Sequence, residues 1–355
     1  MILVTGGAGF IGSNFIKYCL ELRDEPIVCV DSLTYAGNIN NLKECFEYKH
    51  FFFKKIDIVN IESLSEVVNF YRPNSIFHFA AESHVDRSIE SPRTFIDTNI
   101  IGTFNLLEVC LRYFSGQSVL EKEKFKMINV STDEVFGSLS YEGAPFKETT
   151  AYAPNSPYSA SKAAADHLAR AYHHTYGLPV ITTNCSNNYG PMQFPEKLIP
   201  LMIMQALGDK PLTIYGDGSN VRDWLYVKDH CEALDLIRTR GRIGQSYNIG
   251  GKSELANVSV VDSICKILDF YKPRADRKSY SLQKTFVKDR LGHDRRYAID
   301  YSKLESELGW KPKQSFESGL DHTVKWYLEN TTWIENIKSG EYQKNNISHV
   351  MKREL

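Results

Sequence analysis

Ile2-Leu3-Val4-Thr5-Gly6-Gly7-Ala8-Gly9-Phe10-Ile11-Gly12 is the stretch on which the reading of this 355-residue chain turns. Its three apolar residues suit a short buried strand. Gly6, Gly9 and Gly12 recur every third position, and Phe15, Ile16, Cys19 and Leu20 continue as an amphipathic helix. A turn without side chains lets backbone N–H groups approach an anion at a helix N-terminus, so the order strand, glycine turn, helix suits a pyrophosphate. A plain tight turn explains the glycines alone; the flanking strand and helix favour the binding loop.

The next segments extend this start. Ile27-Val28-Cys29-Val30 predicts a second strand ending in Asp31. An acidic residue about twenty positions after the glycine loop accepts hydrogen bonds from an adenosine ribose. No Lys or Arg stands between Asp31 and Lys43 to neutralise a 2′-phosphate, so the cofactor expected is NAD rather than NADP. Asp57 and Ile58, after Phe51-Phe52-Phe53, fall where an adenine edge is read. Ser75–Ala81 predicts a buried strand whose small terminal residues leave room for a cofactor, with Glu82, Ser83 and His84 turned to the cleft. His78 and His84 lack partners at metal-ligand spacing, so no metal is expected. Phe125–Val130 and Val180–Cys185 predict the fifth and sixth strands. Strands alternating with helices predict an α/β chain with a doubly wound, Rossmann-type parallel sheet.

The fifth strand delivers Ser131-Thr132-Asp133-Glu134 at its carboxyl end, where open parallel sheets bind ligands. Tyr158 and Lys162 lie four residues apart in an Ala-rich segment and share one helix face. An ammonium beside a phenol favours the phenolate, which predicts a tyrosine base eased by Lys162. A hydroxyl, two carboxylates, a phenol and an amine thus form one candidate catalytic set: Thr132, Asp133, Glu134, Tyr158 and Lys162.

Composition sets the outer limits. The chain is 42% hydrophobic and 24% charged with a net charge of -1, which gives no electrostatic reason for a nucleic-acid or membrane partner. It opens at Met1 on an apparent strand, with no basic and cleavable apolar leader before it. The seven cysteines are scattered without a Cys-x-x-Cys pair and read as buried thiols. These features predict a cytoplasmic protein.

Residues 1–185 are expected to form the dinucleotide-binding domain, with 224–250 returning to it. Residues 186–223 and 251–330 are expected to form a smaller, mixed α/β C-terminal substrate domain, and 331–355 a peripheral polar tail. Asp289–Arg296 is a basic loop that suits a diphosphate or a base edge, or simply a solvated surface. Ile96, Ile100, Phe104, Leu107, Leu111 and Phe114 predict one apolar stripe along a long helix. That stripe packs on the sheet, or pairs with the Tyr158 helix across a two-fold axis to make a homodimer.

Read together, TGGAGFIGSN, AAESHVDRSI, STDEVFG, YSASKAAADH, NNYGPMQFPEKLIP, IYGDGSNVRDWLYV and DRLGHDRRYAID resemble the extended short-chain dehydrogenase/reductase superfamily. Within it the chain is most similar to the dTDP-glucose 4,6-dehydratases, over nearly its whole length. Thr132-Asp133-Glu134 sets it apart from similar decarboxylases and GDP-mannose dehydratases, which generally show Thr-Ser-Glu, and from epimerases, which lack the acid pair. The resemblance implies that Phe10, Ile11, Asp31, Ser32, Leu33, Thr34, Asp57, Ile58, Phe79, Ala80, Ala81, Glu82, Ser83, Thr98, Tyr158, Lys162 and Asn188 contact NAD. It implies that Ser83, Thr132, Asn187, Lys197, Leu198, Thr213, Ile214, Tyr215, Arg222, Asn257, Asp289, Arg290, Leu291, Gly292 and His293 hold the nucleotide sugar. Phe136 and Leu291 depart from the tyrosine and proline usual in those motifs.

The reaction so implied converts dTDP-glucose to its 4-keto-6-deoxy product. Tyr158 with Lys162 takes the C4 hydroxyl proton, Glu134 removes the C5 proton, and Asp133 protonates the departing C6 hydroxyl. The rival readings are a UDP-glucose dehydratase, an epimerase or decarboxylase of the same superfamily, and a non-catalytic NAD-binding regulatory protein.

Overall fold

The computed structural model describes residues 1–289 and 292–343. Its strands in chain order are β1 (Ile2–Thr5), β2 (Ile27–Asp31), β3 (Phe51–Lys55), β4 (Ser75–His78), β5 (Lys126–Thr132), β6 (Val180–Cys185), β7 (Asn187–Tyr189), β8 (Leu212–Tyr215), β9 (Val221–Tyr226), β10 (Ser246–Ile249), β11 (Glu254–Ala256) and β12 (Lys284–Val287). Seven of them form one sheet in the order β10-β6-β5-β4-β1-β2-β3. Every pairing in it is parallel. The near-continuous Val, Ile, Leu and Phe of these strands suit a sheet covered on both faces. Strand order reverses between β1 and β4, so the crevice beyond their carboxyl ends is the expected ligand site.

Local chemistry explains the element that opens the site on its other side. Helix Pro157–Tyr176 starts with a reciprocal capping box between Ser156 and Ser159 and with Pro157 in its first turn. It stops at Gly177, whose φ of 70° is left-handed and whose N–H donates to the His173 carbonyl at 2.9 Å. Those two ends fix the height of Tyr158 and Lys162 beside β5.

The expected single stripe from Ile96 to Phe114 is corrected. Ile96–Gly102 is a π-helical segment and only Thr103–Ser115 is α-helical. The wider turn changes the phase of the side chains. Leu107 is buried, whereas Ile96, Ile101 and Phe104 are 45%, 42% and 40% exposed.

The second lobe holds the three-stranded sheet β11-β9-β7 and the parallel pair β12-β8. Its own core gathers Tyr189, Ile203, Trp224, Ile264, Leu320 and Tyr327. The tail is not peripheral from residue 331, as expected above. Helix Thr331–Lys338 buries Ile334, and Tyr342 is only 4% exposed. Aromatic residues in a polar stretch bind it back: Trp326 and Trp333 pack with ring centroids 5.1 Å apart, and the Tyr342 hydroxyl donates to the Tyr35 carbonyl at 2.7 Å. Residues 344–355 lie outside the described residues. No described helix is long and apolar enough to cross a membrane.

Candidate active site

A cavity of about 290 Å³ lies over the carboxyl ends of β1, β4 and β5. Its floor is the glycine loop. A Cβ on Gly6 would sit 2.5 Å from the Ala80 backbone nitrogen, so the loop and the end of β4 close up only because the side chain is missing. Helix Phe10–Leu22 has Gly9 at its N-cap, with no capping side chain and no acidic residue in its first turn. Gly9, Phe10, Ile11 and Gly12 line the cavity, so this helix end offers unspent backbone donors to an anion. That arrangement fits the diphosphate of a dinucleotide.

Asp31 ends β2 at the same cavity. Its carboxylate accepts from the Ala8 N–H at 2.9 Å and the Leu33 N–H at 2.8 Å. Burial raises its pKa, while those two donors act in the opposite sense. Ser32, Thr34, Asp57, Ile58, Thr98 and the run Phe79–Ser83 also line the cavity. Leu33 does not line it; its backbone, at φ 55°, serves the turn that holds Asp31. Asn188 lines it and is held by His230 Nδ1 at 2.8 Å. Burial pushes His230 down to about 3, so the ring is neutral. His78 lies between Thr5 and Thr103, at 2.8 and 2.9 Å, and His84 caps helix Val85–Glu90.

The opposite wall brings together the five candidate catalytic residues, all lining the cavity. Thr132 ends β5. Its hydroxyl donates to Asp133 Oδ1 at 3.3 Å and accepts from the Glu134 N–H at 3.2 Å. Asp133 is 1% exposed, and its Oδ2 has no hydrogen-bond partner. Burial, then the charges of Glu134 and Asp223, hold its pKa well above the usual carboxylate range. Burial thus favours the protonated form of Asp133, the form a general acid needs, and the next residue along, Glu134, is less enclosed.

Tyr158 departs from expectation in one respect. Its phenol is not eased by Lys162: burial first, then Glu134, raise its pKa far above the ordinary value. The Lys162 ammonium instead donates to the Val130 carbonyl at 2.8 Å, and its own pKa is lowered by burial. Desolvation therefore outweighs the helix-face pairing that spacing suggested.

Of the expected sugar-nucleotide residues, Ser83, Thr132, Asn187 and Lys197 line the cavity. Lys197 reaches across the lobes to the Ser83 carbonyl at 2.7 Å. Leu198, Thr213, Ile214, Tyr215, Arg222, Asn257, Asp289, Gly292 and His293 do not line it. Leu198 packs against the second core and Ile214 is buried in it. Tyr215 meets the His293 ring edge-on at 6.3 Å, and His293 Nδ1 lies 2.6 Å from Asp289 Oδ1. Arg222 stacks 4.3 Å over Tyr297 and donates to the Asp294 carbonyl at 2.9 Å. Arg290 and Leu291 lie outside the described residues. Asn257 holds a buried side-chain oxygen without a partner. Phe136, in place of a tyrosine, sits in an apolar cluster with ring centroids 5.2 Å from both Phe146 and Tyr152, where a hydroxyl is not required.

Sequence reasoning missed Cys185, Ser186, Gln193, Phe194 and Glu196, which also line the cavity. It also missed Tyr297, whose phenol is raised by burial and by Glu134. None stands in a motif with a chemical spacing of its own; NNYGPMQFPEK pointed to the neighbourhood only. Among the described residues no group of three His, Cys, Asp or Glu side chains is placed to hold a metal ion.

Fold and site together define a dinucleotide-binding α/β enzyme of the extended short-chain dehydrogenase/reductase class. The family described as GDP-mannose 4,6 dehydratase matches residues 3–323. A dTDP-glucose 4,6-dehydratase of Xanthomonas campestris pv. campestris (strain B100) is 54% identical over 341 residues, 96% of this chain and 97% of the relative. The dTDP-glucose 4,6-dehydratase of Bacillus anthracis, solved in complex with NAD, superposes with a TM-score of 0.83 at 48% identity, covering 95% of this chain and 99% of that one. That of Streptomyces venezuelae, solved with NAD bound, gives 0.86 at 42% identity with the same coverage. A Thermus thermophilus UDP-glucose 4-epimerase, also with NAD, gives 0.80 at 29% identity, covering 93% of this chain and 99% of the epimerase. The chain belongs to the dTDP-glucose 4,6-dehydratase family.

Proposed function

We propose that this chain is an NAD-dependent lyase that converts dTDP-glucose to dTDP-4-keto-6-deoxyglucose. The observation that carries the reading is the pair at the end of β5: Asp133, buried with one bare oxygen and its pKa pushed well above the carboxylate range, directly followed by Glu134 at the same cavity as Tyr158. A hydroxyl is a poor leaving group and the C5 hydrogen of glucose is not acidic; a ketone at C4 makes C5–H removable. Bound NAD supplies a reversible hydride acceptor, used at C4 and returned at C6.

The protein's residues do the rest. The uncapped helix end of Phe10–Leu22 and Asp31 hold the dinucleotide. Thr132 hydrogen-bonds the C4 oxygen while Tyr158 accepts its proton as a phenolate, a state that needs the positive charges of bound NAD and Lys162 to offset the burial and the Glu134 charge that raise the phenol in the empty cavity. Glu134 takes the C5 proton, Asp133 hands its proton to the C6 hydroxyl, which leaves as water, and Glu134 gives the proton back to C5 when C6 is reduced. Ser83, Asn187 and Lys197 hold the sugar nucleotide at the cavity. The second-lobe patch of Arg222, Asn257, Tyr215, Asp289 and His293 takes the nucleotide end. Residues 1–185 with 227–250 act as the NAD domain and 186–226 with 251–330 as the sugar-nucleotide domain; the boundary expected at 224 moves to 227 because β9 pairs in the second-lobe sheet and Trp224 and Tyr226 join its core.

The working form is a homodimer, supported by the exposed Ile96, Ile101 and Phe104 on adjoining helical segments. The compartment is the cytoplasm, supported by seven buried free cysteines. Purified chain with NAD, supplied in turn with dTDP-glucose and UDP-glucose, tests the reading. The 4-keto-6-deoxy product should form from dTDP-glucose. Equal turnover of UDP-glucose would reassign the base, and no product from either would sink the proposal.

A further inference from the structure

Asp166 lies one helical turn beyond Lys162 and is 3% exposed. Four donors from three other elements converge on it. Asn129 Nδ2 donates to Oδ1 at 2.8 Å. Ser131 Oγ at 2.7 Å, the Tyr152 hydroxyl at 3.0 Å and Asn184 Nδ2 at 3.3 Å all donate to Oδ2. Asn129 and Ser131 belong to β5, Asn184 to β6, and Tyr152 to the segment before the helix. A carboxylate that collects four donors while buried is a built feature, because each donor offsets part of its desolvation. Its position is specific: Ser131 immediately precedes the catalytic run Thr132–Glu134, and Asp166 shares a helix with Tyr158 and Lys162.

We propose that Asp166 is a positioning residue for the reaction: it locks the Tyr158–Lys162 helix in register with the end of β5 and keeps a carboxylate one turn beyond Lys162 on the same helix. The proposal rests on the dehydratase reading above. The charged and titratable groups that act on Lys162 are Asp166 on its own helix, Cys185 on β6 and His78 on β4, and its ammonium donates to the Val130 carbonyl of β5; Tyr158 stands one turn before it on the same helix. Burial lowers the Lys162 pKa, and Asp166 is the largest opposing influence. Burial raises the Asp166 pKa as well, but Lys162 and the Ser131, Tyr152 and Asn129 donors oppose it and favour the carboxylate, so removing that charge lets Lys162 lose its proton at a lower pH. Tyr158 and Lys162 serve the C4 oxidation, whereas Glu134 serves the C5 proton, so loss of Asp166 should separate the two activities.

The experiment uses the full chain with NAD. Turnover of dTDP-glucose is measured against pH, and hydrogen exchange at C5 of the added 4-keto-6-deoxy product is followed separately in deuterated water. Asp166→Asn should lower turnover about 10-fold or more. Its basic limb should move down by about one pH unit, with C5 exchange within about twofold of wild type. Asp166→Glu, which keeps the charge, should keep the limb in place. Tyr152→Phe removes one donor and keeps the ring; it should show the same separation at about threefold, and it decides the matter if Asp166→Asn does not fold. A limb that stays put in Asp166→Asn, or C5 exchange that falls in step with turnover in Tyr152→Phe, overturns the proposal. A wild-type chain inactive on dTDP-glucose overturns the dehydratase reading and this one with it; an active wild type with unmoved variants overturns this one alone.

Discussion

The Trp333 indole N–H donates to the Asn41 side-chain oxygen at 2.8 Å, across almost the whole length of the chain. The same amide donates through Nδ2 to the Ala8 carbonyl at 3.0 Å, and the Ala8 N–H is held by Asp31. The C-terminal helix is thus coupled by two successive hydrogen bonds to the glycine-rich loop, and by a third to Asp31. A second link runs beside it: Tyr342 bonds the Tyr35 carbonyl, and the Tyr35 hydroxyl donates to Glu196 at the cavity rim at 2.9 Å.

From this link we expect Trp333→Phe, which keeps the ring and removes the donor, to leave the fold intact and to speed NAD release about fivefold, the effect of one lost hydrogen bond of about 1 kcal/mol. Truncation after Asn330 should speed it further. Release rates followed by cofactor fluorescence after dilution check this. Unchanged release from a folded truncation would show the strap to be ornamental.

The two carboxylates should fail at different steps. Asp133→Asn should still oxidise C4 but lose water about 100-fold more slowly, because an amide cannot give the leaving oxygen a proton. Glu134→Gln should oxidise C4 without exchanging C5 hydrogen, and Tyr158→Phe should stop earlier than either. Single turnovers in deuterated water read each step, and wild-type C5 exchange in Glu134→Gln would refute the assignment.

Asp133→Asn should also stabilise the protein. The native pKa of Asp133 lies above its unfolded value. Its stability contribution is therefore complete below the unfolded pKa and is lost as pH rises toward the folded one. An amide has no proton to lose, so at neutral pH the variant should melt about 2 °C or more higher, with the gain vanishing in acid. Calorimetry across pH tests this; a lower Tm at pH 7 would mean the native carboxyl is ionised.

For the cofactor, NADP should not restore activity to stripped protein. On the ribose-binding role proposed for Asp31 its carboxylate would repel a 2′-phosphate, and Asp31→Ala should weaken NAD binding about 10-fold while also freeing the Ala8 and Leu33 N–H groups. Titration calorimetry with both nucleotides decides it, and comparable affinities would remove the role given to Asp31.

Light scattering at micromolar concentration should give the mass of two chains. Phe104→Glu, which puts a charge on the exposed patch, should give one, with a normal melting curve; a wild-type monomer would end the dimer proposal.

Much of this was legible in the chain itself. Periodicity and glycine spacing lead to the parallel sheet, because a strand buried on both faces and a side-chain-free turn leave local marks. The motif Thr132-Asp133-Glu134 with Tyr158 and Lys162 pointed to one cavity and to the chemistry proposed for it, since reacting groups must stand at particular spacings on a strand end and a helix face. Tertiary structure decided what depends on burial and distant neighbours. Spacing suggested that Lys162 eases Tyr158, yet desolvation, a property of surroundings, raises the phenol and leaves Lys162 on a backbone carbonyl. Nothing local set Asp133 apart from Glu134; only its enclosure does. The polar composition after Thr331 concealed Trp333 and Tyr342, whose partners Asn41 and Tyr35 stand some three hundred residues earlier. Asp166 was one Asp in an Ala-rich helix until β5 and β6 brought their donors to it. Local patterns record how a segment folds, whereas the charge state and partners of a buried group belong to the assembled chain.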